Sequence, residues 1–136
     1  MSRRIWIRRA YDPPSQVDGH RVLVDRLWPR GISKTRMRID AWARHVAPTD
    51  ELRHWFDHDP SRWDEFRTRY QRELEARTGE AALEFAALVE HAAAGRITLV
   101  YGARDTEHNN AVALREVLDR HISSRAKASP ATPSDE

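Results

Sequence analysis

Two short stretches of this chain gather side chains that could hold an anion or move a proton. In the first, the apolar run Val22-Leu23-Val24 leads straight into Asp25, Arg26 and Arg30. In the second, Ile97-Thr98-Leu99-Val100-Tyr101 leads into Arg104, Asp105, His108 and Asn109. Arginine presents a planar fork of donors that suits phosphate or carboxylate, so Arg26, Arg30, Arg104 and Asn109, with Tyr11 ahead of them, are the ligand-binding candidates. Asp25, Asp105 and His108 are the acid–base candidates. Each also has a structural reading. Asp25 could accept backbone N–H groups in its turn, and Asp105 or Thr106 could simply cap a helix. Trp28-Pro29 suits a packing wedge. His108 could be a solvated side chain, with Glu107 and Asn109 as its available orienting partners.

A second pattern concerns metal. His54 and His58 stand four apart, the spacing that sets two ligands on one helix face. Asp59-Pro60, a capping carboxylate with proline at the first helical position, predicts a helix start, which leaves His58 in a turn. No glutamate stands between the two histidines in the zincin order. Cysteine is absent, so any metal would need these histidines or His108 together with Asp57 or Asp59. The alternative is a Trp-His-Phe cluster closing the core. No cofactor is assigned. A serine nucleophile lacks its Gly-x-Ser-x-Gly elbow, and no Walker or dinucleotide glycine loop occurs.

These residues need elements to position them. Arg4 to Arg9 alternates charge and bulk like a short strand, and Pro13-Pro14 breaks it. Val22–Val24 and Ile97–Tyr101 read as buried strands. Helices are predicted from Ile39 to Val46, from Thr49 or Asp50 through Trp55, and from Asp59-Pro60 to about Arg77. Two more run from Glu80 to Ala94, with Leu83, Ala86, Ala87 and Leu88 inward, and from the Asp105–Asn110 region through Leu118. The expected fold is therefore α/β: a small, mostly parallel sheet of about three strands flanked by helices. In such sheets ligands bind beyond the carboxyl ends of the strands. Parallel strands would bring both polar stretches to one edge, beside a helix N-terminus that favours anions.

The chain has 136 residues, 40% of them hydrophobic and five of them Trp, enough for one core. Residues 1–122 are expected to form a single α/β domain, and residues 123–136, rich in Ser, Ala, Pro and acidic side chains, a disordered tail. No run approaches the roughly 20 apolar residues that span a bilayer, and no signal region opens the sequence. With no cysteine, these features predict a cytoplasmic protein without a membrane partner. All basic residues but Lys34 and Lys127 are Arg. Residues 1–38 carry ten basic and three acidic side chains, a balance of +7, against 13 and 18 in the remainder, a balance of −5. That asymmetry predicts a basic surface facing an anion or an acidic partner.

Longer motifs carry a family resemblance. Tyr11-Asp12-Pro13-Pro14, Asp18-Gly19-His20-Arg21-Val22-Leu23-Val24-Asp25-Arg26-Leu27-Trp28-Pro29-Arg30-Gly31, Leu52 to Pro60, and Tyr101-Gly102-Ala103-Arg104-Asp105 with Glu107-His108-Asn109 resemble the YeaO-like bacterial proteins. Those proteins fall in a wider family of unknown function, number 488. The resemblance covers about residues 4–121 and implies a small α/β fold with a parallel sheet, without an established activity. Family members usually carry Lys where this chain has Arg104, so the resemblance also implies that no catalytic amine stands there. The link from Asp12 to His20 is too short for a crossover helix, which leaves the direction of the first strand open.

The leading functional expectation is a small anionic ligand, phosphate- or carboxylate-bearing, bound at the carboxyl edge, with catalysis undecided. The alternatives are a nucleic-acid module using the basic N-terminal third and stacking on Trp6, Tyr11 and Trp28, a His/Asp metal-binding protein, and a non-catalytic interaction protein. The substrate and the oligomeric state are not legible in the sequence.

Overall fold

The run Ile97–Tyr101 carries no charge on either alternating face, and the fold places it where both faces are covered. The computed structural model describes residues 4–128. Four strands, β1 (Ile5–Arg9), β2 (His20–Leu23), β3 (Ala41–Trp42) and β4 (Ile97–Tyr101), form one parallel sheet in the order β1-β4-β2-β3. The last strand in sequence is thus flanked on both sides, and all five of its residues are buried. Its one polar member, Thr98, donates its hydroxyl proton to the Asp18 carbonyl at 2.7 Å.

Five helices are present among the described residues: α1 (Lys34–Met37), α2 (Asp50–Phe56), α3 (Trp63–Glu75), α4 (Gly79–Ala94) and α5 (Asn110–Ala128). The two-residue period of the strands sorts the core into two layers. Val22, Val24, Ile97, Leu99 and Tyr101 face the large layer, built with Phe56, Phe66, Tyr70, Phe85 and Leu114 of the long helices. Leu23 and Val100 face a thinner layer of Ile32, Met37, Trp28, Ile39 and Trp42.

The expected helix from Ile39 to Val46 does not form. Its apolar residues recur at helical spacing, but Ile39 and Trp42 pack into the thin layer while Ala43 and Val46 pack into the thick one. A two-sided distribution of this kind belongs to extended chain. Arg38 turns left-handed (φ 52°), and Asp40 N–H to Arg21 O and Ala43 N–H to Leu23 O then draw the segment along β2 as the fourth strand. The sheet accordingly has one strand more than expected. Along α4 the buried stripe is Phe85, Leu88, Val89 and Ala92, whereas Leu83, Ala86 and Ala87 are exposed. Phe85 on that stripe meets His121 of α5 edge-on at 5.3 Å between centroids. α5 runs to Ala128, six residues beyond the expected domain end; residues 129–136 of the expected tail lie outside the described residues.

β1 is parallel to β4, which settles its direction. Ten residues return the chain from the carboxyl end of β1 to the start of β2 without a helix. A five-residue strand spans about 17 Å, and ten extended residues reach roughly 33 Å, so the Pro13-Pro14 stretch and one 3-10 turn, Gln16–Asp18, suffice. Asp18 at the end of this link is fully buried and pairs with the buried Arg21 at 2.6 Å. Arg21 also donates to the carbonyls of Met37 (2.8 Å) and Arg38 (3.2 Å), tying α1 to the opening edge of the sheet.

Candidate functional site

Because β2 and β4 run parallel, Asp25 and Gly102 emerge side by side at the carboxyl edge. The Asp25 carboxylate accepts the Gly102 N–H at 2.9 Å through one oxygen and the Asn110 side-chain amide at 3.1 Å through the other. Asn110, the first residue of α5, donates from the same amide nitrogen to the Val24 carbonyl at 2.9 Å. The helix start is thereby stapled to the end of β2. Burial pushes the Asp25 carboxyl above its ordinary range, against the lowering effect of the Gly102 and Asn110 hydrogen bonds and of the more distant His58 and Arg53.

Around this carboxylate lies a cavity of about 270 Å³. Its apolar walls come from Trp28, Pro29, Phe56 and Phe66. Arg26, Arg30, Arg53, His58 and His108 supply its basic groups, and Asp25 is the only acidic side chain lining it among the described residues. The two polar stretches singled out in the sequence therefore do meet.

The basic groups differ in what they are free to do. Arg26 donates to the carbonyls of Pro48 (3.1 Å) and Ala47 (3.2 Å) and lies 3.9 Å from Asp50, which makes it a clamp on the loop before α2. Arg53 pairs with Asp50 at 3.0 Å through one terminal nitrogen, while its Nε is buried without a hydrogen-bond partner. The guanidinium of Arg30 makes no hydrogen bond or ion pair among the described residues; its backbone carbonyl accepts the Tyr11 hydroxyl at 2.6 Å. Tyr11 thus lines the cavity and also anchors the loop that carries Arg30. His58 reaches the cavity from an unusual backbone: Asp57 and His58 are consecutive left-handed residues (φ 48° and 54°), where side chains other than glycine are disfavoured.

Asp105 stands behind the cavity rather than in its lining. It accepts the backbone N–H groups of Glu107 (2.9 Å) and His108 (3.0 Å) and meets His108 Nδ1 at 2.9 Å. The Glu107 N–H and the His108 ring hold its carboxyl below the ordinary range. This contact orients the His108 ring, which meets Trp63 edge-on at 5.3 Å between centroids. Asn109 is buried and lines the cavity, and its side chain donates to the Asp105 carbonyl (2.9 Å) and accepts the Val112 N–H (3.0 Å) as the cap of α5. Asn109 and Asp105 thus have the structural roles that their types allow.

Arg104 is exposed and outside the lining, and so is His54. The spacing of His54 and His58 does not make a pair, because α2 ends at Phe56 and only His58 turns toward the cavity. Among the described residues one other group has donor atoms close enough for an ion: His45, Glu80 and Glu84. There Glu84 already accepts the backbone N–H groups of His45 and Val46, both at 2.8 Å, and serves as a loop clamp. Arg53 and Asn110 were missed as site residues. Arg53 was masked by the histidines beside it, and Asn110 carried only the ordinary signal of a helix-start residue.

Comparison with known proteins places these features in context. Residues 4–135 match the family model described as the inactive DUF488-N3 subclade. The chain is 40% identical over 119 residues to the uncharacterized protein Rv3073c of Mycobacterium tuberculosis, covering 85% of this chain and 94% of that one. It is equally 40% identical over 114 residues to the uncharacterized protein YeaO of Escherichia coli, covering 84% and 96%. No solved structure matches significantly.

Proposed function

The chain belongs to the YeaO-like DUF488 family, and on that footing we propose that its carboxyl-edge cavity binds a small anionic ligand without turning it over. One observation carries the reading: the Arg30 guanidinium makes no hydrogen bond or ion pair among the described residues, in a cavity whose only acidic group among them, Asp25, is itself tied to Gly102 and Asn110. A guanidinium presents a planar fork of donors that suits phosphate or carboxylate, and an anion in the cavity would engage it. Arg53 adds a second guanidinium to the lining, paired with Asp50 at 3.0 Å.

The absence of turnover draws support from two sides. The matched family model is described as inactive. Asp105 holds three donors and lies outside the lining, which leaves it an orienting role. Nucleic-acid binding draws less support, because much of the basic N-terminal third is engaged internally. Arg4 donates to the Ala92 and Ala93 carbonyls, Arg8 to Pro13, Arg9 to Ala103, and Arg21 is buried.

The reading is tested by titrating isotope-labelled protein with inorganic phosphate, using chloride at equal ionic strength as control. Amide shifts should cluster at Arg30, His58 and Gly102, and Arg53→Gln should weaken the response at least tenfold. Scattered shifts, or a response equal in chloride, would sink the proposal. Consumption of a bound ligand would sink its non-catalytic half.

A further inference from the structure

We propose that His45, Glu80 and Glu84 form a binding site for one divalent transition-metal ion of the zinc class. The site shares no residue with the lining of the carboxyl-edge cavity and does not rest on the anion reading. Among the described residues it is the group of His, Asp and Glu side chains whose donor atoms converge, each within 4.8 Å of the others. The histidine patterns in the sequence pointed instead to His54, His58 and His108.

Glu80 and Glu84 stand four apart in the first turns of α4, which sets both carboxylates on one face of the helix. His45 comes to them from the loop between β3 and α2. Glu84 holds that loop through one oxygen: Oε1 accepts the His45 and Val46 N–H groups, both at 2.8 Å. The same two bonds fix the carboxylate, whose Oε2 meets His45 Nδ1 at 2.7 Å. Hydrogen bonds that orient a ligand in advance are what metal sites build behind their donors. Clamping the loop uses Oε1 and gives Glu80 no part. Glu80 has no hydrogen bond or ion pair among the described residues, although a second carboxylate stands one helical turn away and repels it. Among those residues no Arg or Lys pairs with either carboxylate, in a chain with 23 such side chains. Arg44, next to His45 in sequence, lies over the Trp42 ring at 4.4 Å instead. Two negative charges thus face one imidazole, and a divalent cation cancels them.

The donor set selects the ion. One imidazole nitrogen with two carboxylate oxygens suits zinc and its neighbours, whereas magnesium and calcium take shells of oxygen. Zinc holds such donors at about 2.0–2.2 Å, which in a tetrahedron sets them about 3.4 Å apart. The 2.7 Å contact between His45 and Glu84 therefore opens slightly, and the unpartnered Glu80 swings in to complete the set. The ion replaces the proton between His45 Nδ1 and Glu84 Oε2, and that proton leaves to solvent. Water fills the remaining position, because His45 and Glu80 are exposed. Once bound, the ion ties α4 to the loop that carries Ala47 and Pro48 into the cavity wall.

Calorimetric titration of the chelator-treated full chain with zinc chloride should show one ion bound per chain, with protons released to the buffer. Magnesium chloride should bind at least tenfold more weakly. Glu80→Gln alters a side chain without a protein partner, so it should weaken zinc binding at least tenfold without moving the unfolding temperature of the ion-free chain. His45→Ala keeps the backbone N–H groups that Glu84 holds, and should weaken zinc binding at least tenfold as well. Undiminished zinc affinity in either variant would overturn the three-residue site and place the ion on other side chains. Failure of the unaltered chain to bind zinc, or magnesium bound as tightly as zinc, would overturn it equally.

Discussion

Asp57 and His58 hold consecutive left-handed backbones that glycine would adopt without strain. Sparsely populated conformations of this kind cost on the order of 1–3 kcal/mol each and cluster at functional sites. His58→Gly should therefore raise stability by about 1 kcal/mol while weakening anion binding, as read by urea unfolding and titration. Asp57→Gly, outside the cavity lining, should stabilise without the binding loss. A stabilised His58→Gly protein with full affinity would show that His58 takes no part in the site. Asp25 gives the opposite balance. Asp25→Ala would leave the Gly102 N–H without its acceptor and take one of two acceptors from the Asn110 amide, and should lower stability by about 1–3 kcal/mol in urea unfolding. A gain in stability would mean that the buried carboxylate is a net cost to the fold. Single residues also set the limit of sequence reading. Asp25, His108 and the two arginines after β2 were legible because strand ends announce them. Arg53 was not, since only the folded wall shows which guanidinium nitrogen lacks a partner.

The link between β1 and β2 shows how much an element can depend on one position. Gly19 has φ 66°, and a Cβ there would stand 2.2 Å from the Arg96 carbonyl oxygen. The neighbour is backbone and cannot rotate away. Gly19→Ala should thus cost more than the usual 1 kcal/mol of a left-handed alanine, and the midpoint of denaturant unfolding should fall accordingly. An unchanged midpoint would mean that the β4 entry shifts freely. The other elements divide by the source of their signal. α2 announces itself through Thr49, whose hydroxyl accepts the Leu52 N–H, and Asp59-Pro60 announces the 3-10 turn Pro60–Arg62 that leads into α3, with Asp59 accepting the Ser61 N–H. β3 did not, because Ile39, Trp42, Ala43 and Val46 satisfy a helical period. Only the unpaired edge of β2 turns that stretch into a strand.

Across the whole molecule the histidines decide the response to mild acid. Burial, then the stacked His91, lower His20 against the raising effect of Asp40; burial, then Arg77 and Arg125, lower His121. A histidine with its folded pKa below 6.5 binds its proton more readily when unfolded, so stability falls as pH drops through and below that value. Asp25 works in reverse, because its raised carboxyl is protonated more readily in the folded state, and it offsets part of the loss only at lower pH. The unfolding temperature should drop between pH 7.5 and 5.5, and the double variant His20→Gln/His121→Gln should flatten that slope. An equal slope in the variant would assign the acid response to other groups.

The position of β4 has a consequence for the order in which the chain is made. β1, β2 and β3 are complete by Trp42, yet β1 has no sheet neighbour but β4, and β2 joins it only through β4. A ribosome that has released the first ninety residues holds helices and an unassembled sheet with bare strand edges. Pairings between residues so far apart in sequence form slowly, and bare edges invite association with other chains. Nascent chains arrested before Ile97 should be captured by chaperones and cut readily by protease, while chains arrested with β4 and α5 free of the tunnel should resist.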